Sequence, residues 1–126
     1  MLKKIIKTAN ASLPVGPYNQ AVAIGNLIYT AGQIPLDPQG NMVPGGIKEQ
    51  TKQVLENVKA VIEAGGSSLA NVVKATVFLK DLNDFAGMNE VYGQYFKAET
   101  APARSTLQVA RIPKDSLVEI EVVAFV

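Results

Sequence analysis

Cysteine and histidine are both absent from this sequence of 126 residues. Without them the chain cannot form disulfides, thiolate nucleophiles or zinc sites built from Cys and His. General acid–base catalysis by an imidazole is excluded for the same reason. If the chain is an enzyme, its titrating groups are therefore carboxylates, lysines or tyrosines, and its anion-binding groups are arginines or lysines.

An excess of charge of either sign is lacking as well. The 12 Lys and Arg residues nearly balance the 11 Asp and Glu residues, which gives a formal net charge of +1. Proteins that bind nucleic acids usually carry a basic excess or a basic stripe, whereas here only Lys3, Lys4 and Lys7 form a cluster. We therefore expect no nucleic-acid partner.

Long hydrophobic runs are also missing. No stretch approaches about 20 apolar residues, the length of a membrane-spanning helix, and residues 1–16 lack the apolar core of a signal peptide. We therefore expect a soluble, cytoplasmic protein with no membrane partner. The acidic residues show no spacing typical of a metal-binding loop, so we predict no metal. Hydrophobic residues nevertheless make up 48% of the chain, enough for one domain over residues 1–126.

The first half of the chain changes its hydrophobic period once. Residues 20–34 contain two β-prone runs on either side of Gly25-Asn26, a dipeptide typical of a two-residue hairpin turn. Residues 35–46 are rich in Pro and Gly and predict a loop. Apolar residues then recur at helical spacing over residues 47–64, and two glycines follow, which predicts one amphipathic helix.

The second half predicts one more helix and three strands. Residues 72–80 are typical of a strand, and Asn83 or Asp84 can cap a helix that continues to Phe96. Two further strands are predicted at 104–110 and 117–126, joined by a turn. The order of elements predicts an α+β sandwich of two layers, in which two helices cover one face of a mixed sheet of five or six strands.

The last predicted strand has one apolar side and one mixed side. Its mixed side carries Glu119 and Glu121 between large apolar residues, a pattern that suits neither a dry core nor a solvated surface. In the preceding strand Arg104, Thr106 and Gln108 likewise share one register. We therefore expect the second face of the sheet to be buried against other subunits, with polar groups collected in clefts.

Arg104 and Glu119 form the candidate pair that best fits chemistry. Their spacing alone favours a structural ion pair between neighbouring strands. Their residue types favour a function, because a guanidinium matches a carboxylate with two parallel hydrogen bonds. In a chain without His or Cys, a glutamate is also the leading candidate to position or deprotonate a water molecule.

Three weaker candidates have structural alternatives. Tyr18 follows a Gly-Pro pair that fixes a loop, but it could equally be a surface or core tyrosine. Asn89 lies within the second predicted helix and either faces solvent or makes a specific hydrogen bond. Residues 44–46 could present helix N-terminal amides to an anion, although a loop followed by a helix cap explains them better.

Four segments of the chain resemble the RidA family, also called YjgF, of reactive-intermediate deaminases. They are GPYNQAV (16–22), YTAGQIPLDPQG (29–40), VVKATVFLKDLNDFAGMNEVY (72–92) and PARSTLQVARIPKDSLVEIE (102–121). The resemblance covers essentially the whole chain. It implies a chorismate-mutase-like fold assembled as a homotrimer, with active-site clefts between subunits.

The resemblance also implies an activity and a set of site residues. The activity is hydrolysis of 2-enamine and 2-imine acids, such as 2-aminoacrylate and 2-iminobutanoate, to 2-oxo acids and ammonia without a cofactor. Arg104 matches the arginine that grips the substrate carboxylate, and Glu119 matches the acid that orients or activates the attacking water. The positions that match residues lining or shaping the cleft are Tyr18, Gly32, Asn89 and Thr106.

Two positions depart from the family pattern. Thr106 stands where many relatives have Cys, which removes any thiol-based switching but leaves hydrolysis by water possible. Ala31 stands where many relatives have Ser, which puts the substrate preference in question. Two other functions remain open: a non-catalytic trimer that binds small carboxylates as a regulator, and an RNA-directed inhibitor of translation. The near-neutral charge argues against the second.

Overall fold

A computed structural model, which describes residues 2–126, contains a mixed sheet of six strands with two helices packed on one face. This confirms the predicted α+β sandwich. Strand order across the sheet is β1-β2-β3-β6-β4-β5, and every neighbouring pair is antiparallel except the parallel pair β4–β5. The strands are β1 (Lys4–Ile6), β2 (Ala21–Ile24), β3 (Leu27–Thr30), β4 (Val72–Leu79), β5 (Ala103–Gln108) and β6 (Val118–Phe125), and the helices are α1 (Ile47–Ala64) and α2 (Phe85–Tyr95).

Helix α1 has the bounds that its hydrophobic period predicts. At its start the backbone N–H of Gly46 donates a hydrogen bond of 2.7 Å to the side chain of Glu49. This contact is one half of a capping box, which agrees with the loop-and-cap interpretation of residues 44–46. The buried stripe of α1, which packs on the sheet, includes Val54, Leu55, Val58, Val61 and Ile62.

The predicted hairpin and second helix are confirmed as well. Strands β2 and β3 pair in register around Gly25, whose φ of 57° lies in the left-handed region that a tight hairpin turn requires. Helix α2 begins after Asp84 and contributes Met88, Val91 and Tyr92 to the interior. The sequence analysis did not identify strand β1, a strand of three residues, two of them exposed, that adds to the edge of β2.

The side chains of strand β6 alternate between two unlike faces of the sheet. Val118, Ile120, Val122 and Ala124 are buried toward the helices, as predicted, and Glu119 and Glu121 point to the open face. Several large apolar side chains of the open face remain at least 40% exposed: Tyr29, Leu107 and Phe125. One face of the sheet is therefore a covered core, and the other is an uncovered surface of mixed character.

Strand β5 lies elsewhere than the sequence analysis expected. It pairs with β4, and β4 separates it from β6, so the last two strands of the chain are not neighbours. Arg104 pairs with Ala75, a fully buried core residue, which places the arginine on the helix side of the sheet. The expectation that the polar residues of β5 share the open face with Glu119 is wrong, because parallel pairing with β4 sets the opposite register.

Within residues 2–126, no helix combines the length and the hydrophobicity that crossing a lipid bilayer requires. Over the same residues, no three side chains of Asp or Glu come together as a metal site would need.

Candidate active site

The structure divides the sequence-predicted site residues between the two faces of the sheet. Tyr18, Gly32 and Glu119 line one cavity on the open side. Arg104 and Asn89 are in direct contact on the helix side. The candidate site of one chain therefore consists of two separate halves.

The cavity beside Glu119 has a volume of about 320 Å³. It is formed by the loop before β2, by the segment that follows β3, and by the start of β6. The residues that line it are Val15, Tyr18, Ala31, Gly32, Ile34, Pro113 and Glu119. Glu119 is the only ionisable group among them apart from the Tyr18 phenol, so a small polar ligand in this cavity would meet a carboxylate within mostly apolar walls.

An irregularity between β3 and β6 creates room for the cavity. Tyr29 pairs with Val123, yet the next backbone pair joins Gln33 to Ile120, so four steps along one strand face three along the other. Such an extra residue bends a strand locally away from its partner. The side chain of Thr30 fills the gap by accepting a hydrogen bond of 3.0 Å from a backbone N–H of β6.

Gly32 lies within this irregular segment, directly against the carboxylate of Glu119. A Cβ atom at position 32 would overlap Glu119 Oε2 and come within 2.7 Å of its Cδ. Real Cβ atoms do not approach so closely, so a side chain at this position would displace the carboxylate. Glycine therefore leaves the Glu119 carboxylate in its place, whereas any side chain here would move it.

The loop that carries Tyr18 is fastened to the protein by Gln20. The Gln20 side chain, which is 2% exposed, accepts from the backbone of Thr8 and donates to the carbonyls of Thr8 and Ser12. Tyr18 itself folds back, and its hydroxyl accepts a hydrogen bond from the backbone N–H of Val15. The sequence analysis did not single out Gln20, because one glutamine at the start of a strand carries no distinctive pattern.

The electrostatics of Glu119 suit proton transfer. Burial in the cavity wall raises the pKa of its carboxyl group, and the negative charge of Glu121 on the same face raises it further. Within residues 2–126 Glu119 makes no ion pair. An uncompensated, partly desolvated carboxylate is a better proton acceptor than one held by a cation.

Arg104 is held on the other face by three residues of helix α2. Its Nη1 donates a hydrogen bond of 2.7 Å to Asn89 Oδ1. Its Cζ atom lies 4.6 Å from the ring centroid of Tyr92 and 5.5 Å from that of Phe85. Asn89 is exposed and also makes this specific hydrogen bond, so both alternatives for it hold.

Thr106 lies two residues beyond Arg104 on the same side of β5. Its hydroxyl oxygen is buried and has no hydrogen-bond partner in residues 2–126. A buried hydroxyl without a partner is uncommon in folded proteins. Within residues 2–126 this hydroxyl therefore stays unpaired, on the same side of β5 as Arg104.

The two charged residues do not meet within one chain. Glu119 pairs with Phe78 on β4, whereas Arg104 pairs with Ala75, so the two are offset by three residues, about 10 Å, and point to opposite faces. The interpretation as an ion pair between neighbouring strands is wrong. The reason is that β4 lies between β5 and β6, an arrangement that the sequence does not reveal.

Two aromatic residues that contact Arg104 were not predicted as site residues from the sequence. Phe85 and Tyr92 fit the apolar period of a helix, and packing alone explained them. One signal could have identified their role. Together with Asn89 they occur at spacings of four and three, which places all three on one stripe of α2.

Comparison with known proteins gives consistent findings over nearly the full chain. A sequence model of the family described as endoribonuclease L-PSP matches residues 8–126. A RutC family protein of Pyrococcus abyssi is 57% identical over 126 residues, which cover 99% of this chain and 98% of that protein. An Escherichia coli protein with the provisional name reactive intermediate deaminase TdcF is 49% identical, over 98% of this chain and 97% of its own length.

A solved structure gives the same result in three dimensions. The crystal structure of Escherichia coli TdcF with bound serine superimposes with a TM-score of 0.92 at 48% sequence identity, and the match covers 98% of both chains. Sequence identity at this level over the whole length shows both the fold and the family. The chain therefore belongs to the RidA (YjgF) family, which the matching sequence model describes as endoribonuclease L-PSP.

Proposed function

We propose that this protein hydrolyses reactive 2-imino acids and their enamine tautomers to 2-oxo acids and ammonia, at a site that two copies of the chain complete together. One observation carries the proposal. Within residues 2–126, Arg104 is a cation without a carboxylate partner on one face of the sheet, and Glu119 is a carboxylate without a cation partner on the other. Arg104 would bind the carboxylate of a 2-imino acid, and Glu119 would accept a proton from the water that attacks C2.

The reaction needs few protein groups. The enamine first takes a proton at carbon and becomes the N-protonated imine, whose C2 atom is electrophilic. Water adds to C2 as Glu119 accepts one of the water protons, which gives a neutral carbinolamine. Glu119 returns this proton to the nitrogen, the C2–N bond breaks to release ammonia, and the hydroxyl gives its proton to solvent as the C2 carbonyl forms. Arg104 holds the substrate carboxylate throughout, so catalysis depends on orientation and on one placed water.

A second copy of the chain would bring the two halves together. The open face exposes the large apolar side chains of Tyr29, Leu107 and Phe125, which a second chain would cover. Contact between unlike surfaces of identical subunits closes into a ring when the rotation fits. A ring of three, in which the open face of each chain is covered, is the assembly that we propose.

The related Escherichia coli protein supports the substrate class. Its structure contains bound serine, and its provisional name describes a deaminase of reactive intermediates. Serine carries the carboxylate and the 2-nitrogen that a 2-imino acid also has. Arg104, which has no carboxylate partner within residues 2–126, would bind such a carboxylate through paired hydrogen bonds.

The family description as an endoribonuclease suggests RNA as a second substrate class. Two features of this chain disfavour it. The formal net charge is +1, and the chain has no histidine to act as acid and base in phosphodiester cleavage. Incubation of the purified protein with labelled RNA, in parallel with the imine assay, would reveal such an activity.

The proposal is tested with a pyridoxal-phosphate-dependent dehydratase that releases 2-aminoacrylate from serine. Added protein should accelerate formation of ammonia and pyruvate from the released intermediate. Arg104→Ala and Glu119→Gln should each reduce this acceleration roughly 100-fold, whereas the exposed Lys52→Ala and Glu63→Gln should not. If wild-type protein binds pyruvate but gives no acceleration, it is a carboxylate-binding protein and the proposal fails.

Mixed oligomers test whether the site is shared. Chains with Arg104→Ala and chains with Glu119→Gln are coexpressed with different tags, and oligomers that carry both tags are purified. In a ring of three, one of three sites then has both groups intact, so about a third of wild-type activity should return. Replacing the first chain by one with both substitutions should return none. Mixed oligomers without activity would mean that the site is not shared between chains.

A further inference from the structure

We propose that Tyr92 is a positioning residue for Arg104, and that its ring face holds the guanidinium ready for a substrate carboxylate. This inference rests on the proposed function for the identity of the ligand. The contact itself is a property of the chain. The tests below therefore include a measurement that does not depend on imine hydrolysis.

The contact is made by the face of the ring. The Cζ atom of Arg104 lies 4.6 Å from the centroid of Tyr92, within the range of a cation–π interaction. The phenol oxygen of Tyr92 is buried, and within residues 2–126 it has no hydrogen-bond partner. The ring face therefore makes the defined contact with the arginine, while the guanidinium also lies near enough to the hydroxyl to lower the pKa of the phenol.

Tyr92 is itself immobilised by the core. Its side chain is 6% exposed and belongs to the main hydrophobic cluster. Its ring also packs against Phe96, whose ring centroid lies 4.7 Å away at an interplanar angle of 38°. A ring anchored in this way restricts the rotamers of the long arginine side chain. The side chain therefore loses less conformational entropy when a ligand binds.

All the contacts that hold Arg104 are neutral. Asn89 offers an amide oxygen, and Phe85 and Tyr92 offer ring faces. Burial raises the pKa of Tyr92, more than the nearby charge of Arg104 lowers it, so the phenol stays uncharged at neutral pH. A carboxylate in place of these groups would fix the guanidinium but would also compete with a substrate for it. A neutral clamp fixes it and leaves its charge and most of its N–H donors available.

The first test compares two substitutions at the same position. Tyr92→Phe keeps the ring and removes a hydroxyl that has no partner, so KM for the imine should remain within about twofold of wild type. Tyr92→Leu removes the ring face, so KM should rise about tenfold while kcat changes by less than about threefold. A fall in kcat at constant KM would overturn the proposal, as would an equal loss in both variants.

Phe96→Leu provides the matched control for lost packing. Phe96 is also 6% exposed and contacts the same ring, but Arg104 contacts Tyr92 and Phe85 instead. Phe96→Leu should lower the melting temperature about as much as Tyr92→Leu and leave KM unchanged. If Phe96→Leu raises KM as strongly as Tyr92→Leu does, the effect on KM comes from general loosening of α2, and the proposal is wrong.

A measurement on the wild-type protein depends neither on whether a variant folds nor on enzyme activity. The chain has only two arginines, Arg104 and Arg111, and Arg111 is held by an ion pair with Asp115 at an exposed site. In a ¹⁵N NMR spectrum of the side chains, the Arg104 guanidinium should be ordered and shifted by the ring current of Tyr92. Tyr92→Phe should preserve the shift. A mobile, unshifted Arg104 would overturn the proposal even if imine hydrolysis were established, and an ordered one would uphold it even if no hydrolysis occurred.

Discussion

The two faces of the sheet prepare their charged residues in different ways. On the helix side a regular stripe of α2 holds Arg104 through an amide and two rings. On the open side Glu119 borders a cavity built from a loop and an irregular strand end. Because the two faces are separated by the sheet itself, the cation and the anion cannot neutralise each other within one chain. Each therefore remains available for a ligand.

The largest expected effect comes from a substitution that displaces Glu119 on the open side and leaves the helix side unchanged. Gly32→Ala places a Cβ where the Glu119 carboxylate lies, so kcat/KM for the imine should fall roughly 100-fold. The NMR signal of Arg104 should not change, because the helix side is untouched. Gly93→Ala is the matched control: among residues 2–126, no atom outside its own stretch of α2 lies within 4 Å of its added Cβ, so activity should be retained. A Gly32→Ala protein with more than half of wild-type activity would contradict this account of the cavity.

A smaller effect should come from adding charge to the helix-side clamp. Asn89→Ala removes the hydrogen bond to Arg104 and should raise KM about fivefold. Asn89→Asp keeps the shape but gives the guanidinium a carboxylate partner, so KM should rise further, to roughly tenfold or more, and fall again with added salt. Arg104 should become more ordered in the NMR spectrum at the same time. If KM is lower for Asn89→Asp than for Asn89→Ala, neutrality of the clamp is unimportant.

The smallest expected effect concerns stability on the open side. The pKa of Glu119 is raised in the folded protein by burial and by Glu121, so its ionised form opposes folding at neutral pH. Glu119→Gln should therefore raise the melting temperature slightly at pH 7. The difference should shrink as the pH falls through the raised pKa, and it should vanish once the carboxyl is protonated in both the folded and the unfolded chain.

Glu63→Gln, at an exposed position of α1, controls for the loss of one negative charge. A lower melting temperature for Glu119→Gln at pH 7 would show that the carboxylate makes a stabilising interaction instead. The pH–rate profile of the wild-type protein should agree in direction. Its acidic limb should lie above the usual range of a glutamate, since activity needs the ionised form.

The elements of the fold followed from local patterns in the sequence. The period of α1, the turn at Gly25 and the alternation along β6 each agree with the structure, because amphipathic period and turn chemistry are short-range properties. Strand β1 was missed because three residues are too few to display an alternation. Strand order was also beyond local reasoning, and with it the face on which Arg104 lies.

The site residues show the same division. Arg104 and Glu119 stood out by residue type, and Asn89 by its unusual position within a helix. Tyr92 did not stand out, because an aromatic residue at helical spacing is explained by the core, and only its distance to Arg104 distinguishes it. Roles in catalysis remain predictions for all of these residues until the substitutions above are made.

The sequence by itself determined which reactive side chains are available: it has no thiol and no imidazole, and a carboxylate and a guanidinium are the groups that remain. It also determined the helices, most strands and the family, since these depend on local period and on matched segments. Only the tertiary structure decided that Arg104 and Glu119 point to opposite faces. That outcome depends on β4 pairing with β5 on one edge and with β6 on the other, a long-range choice made by the packing of the whole core.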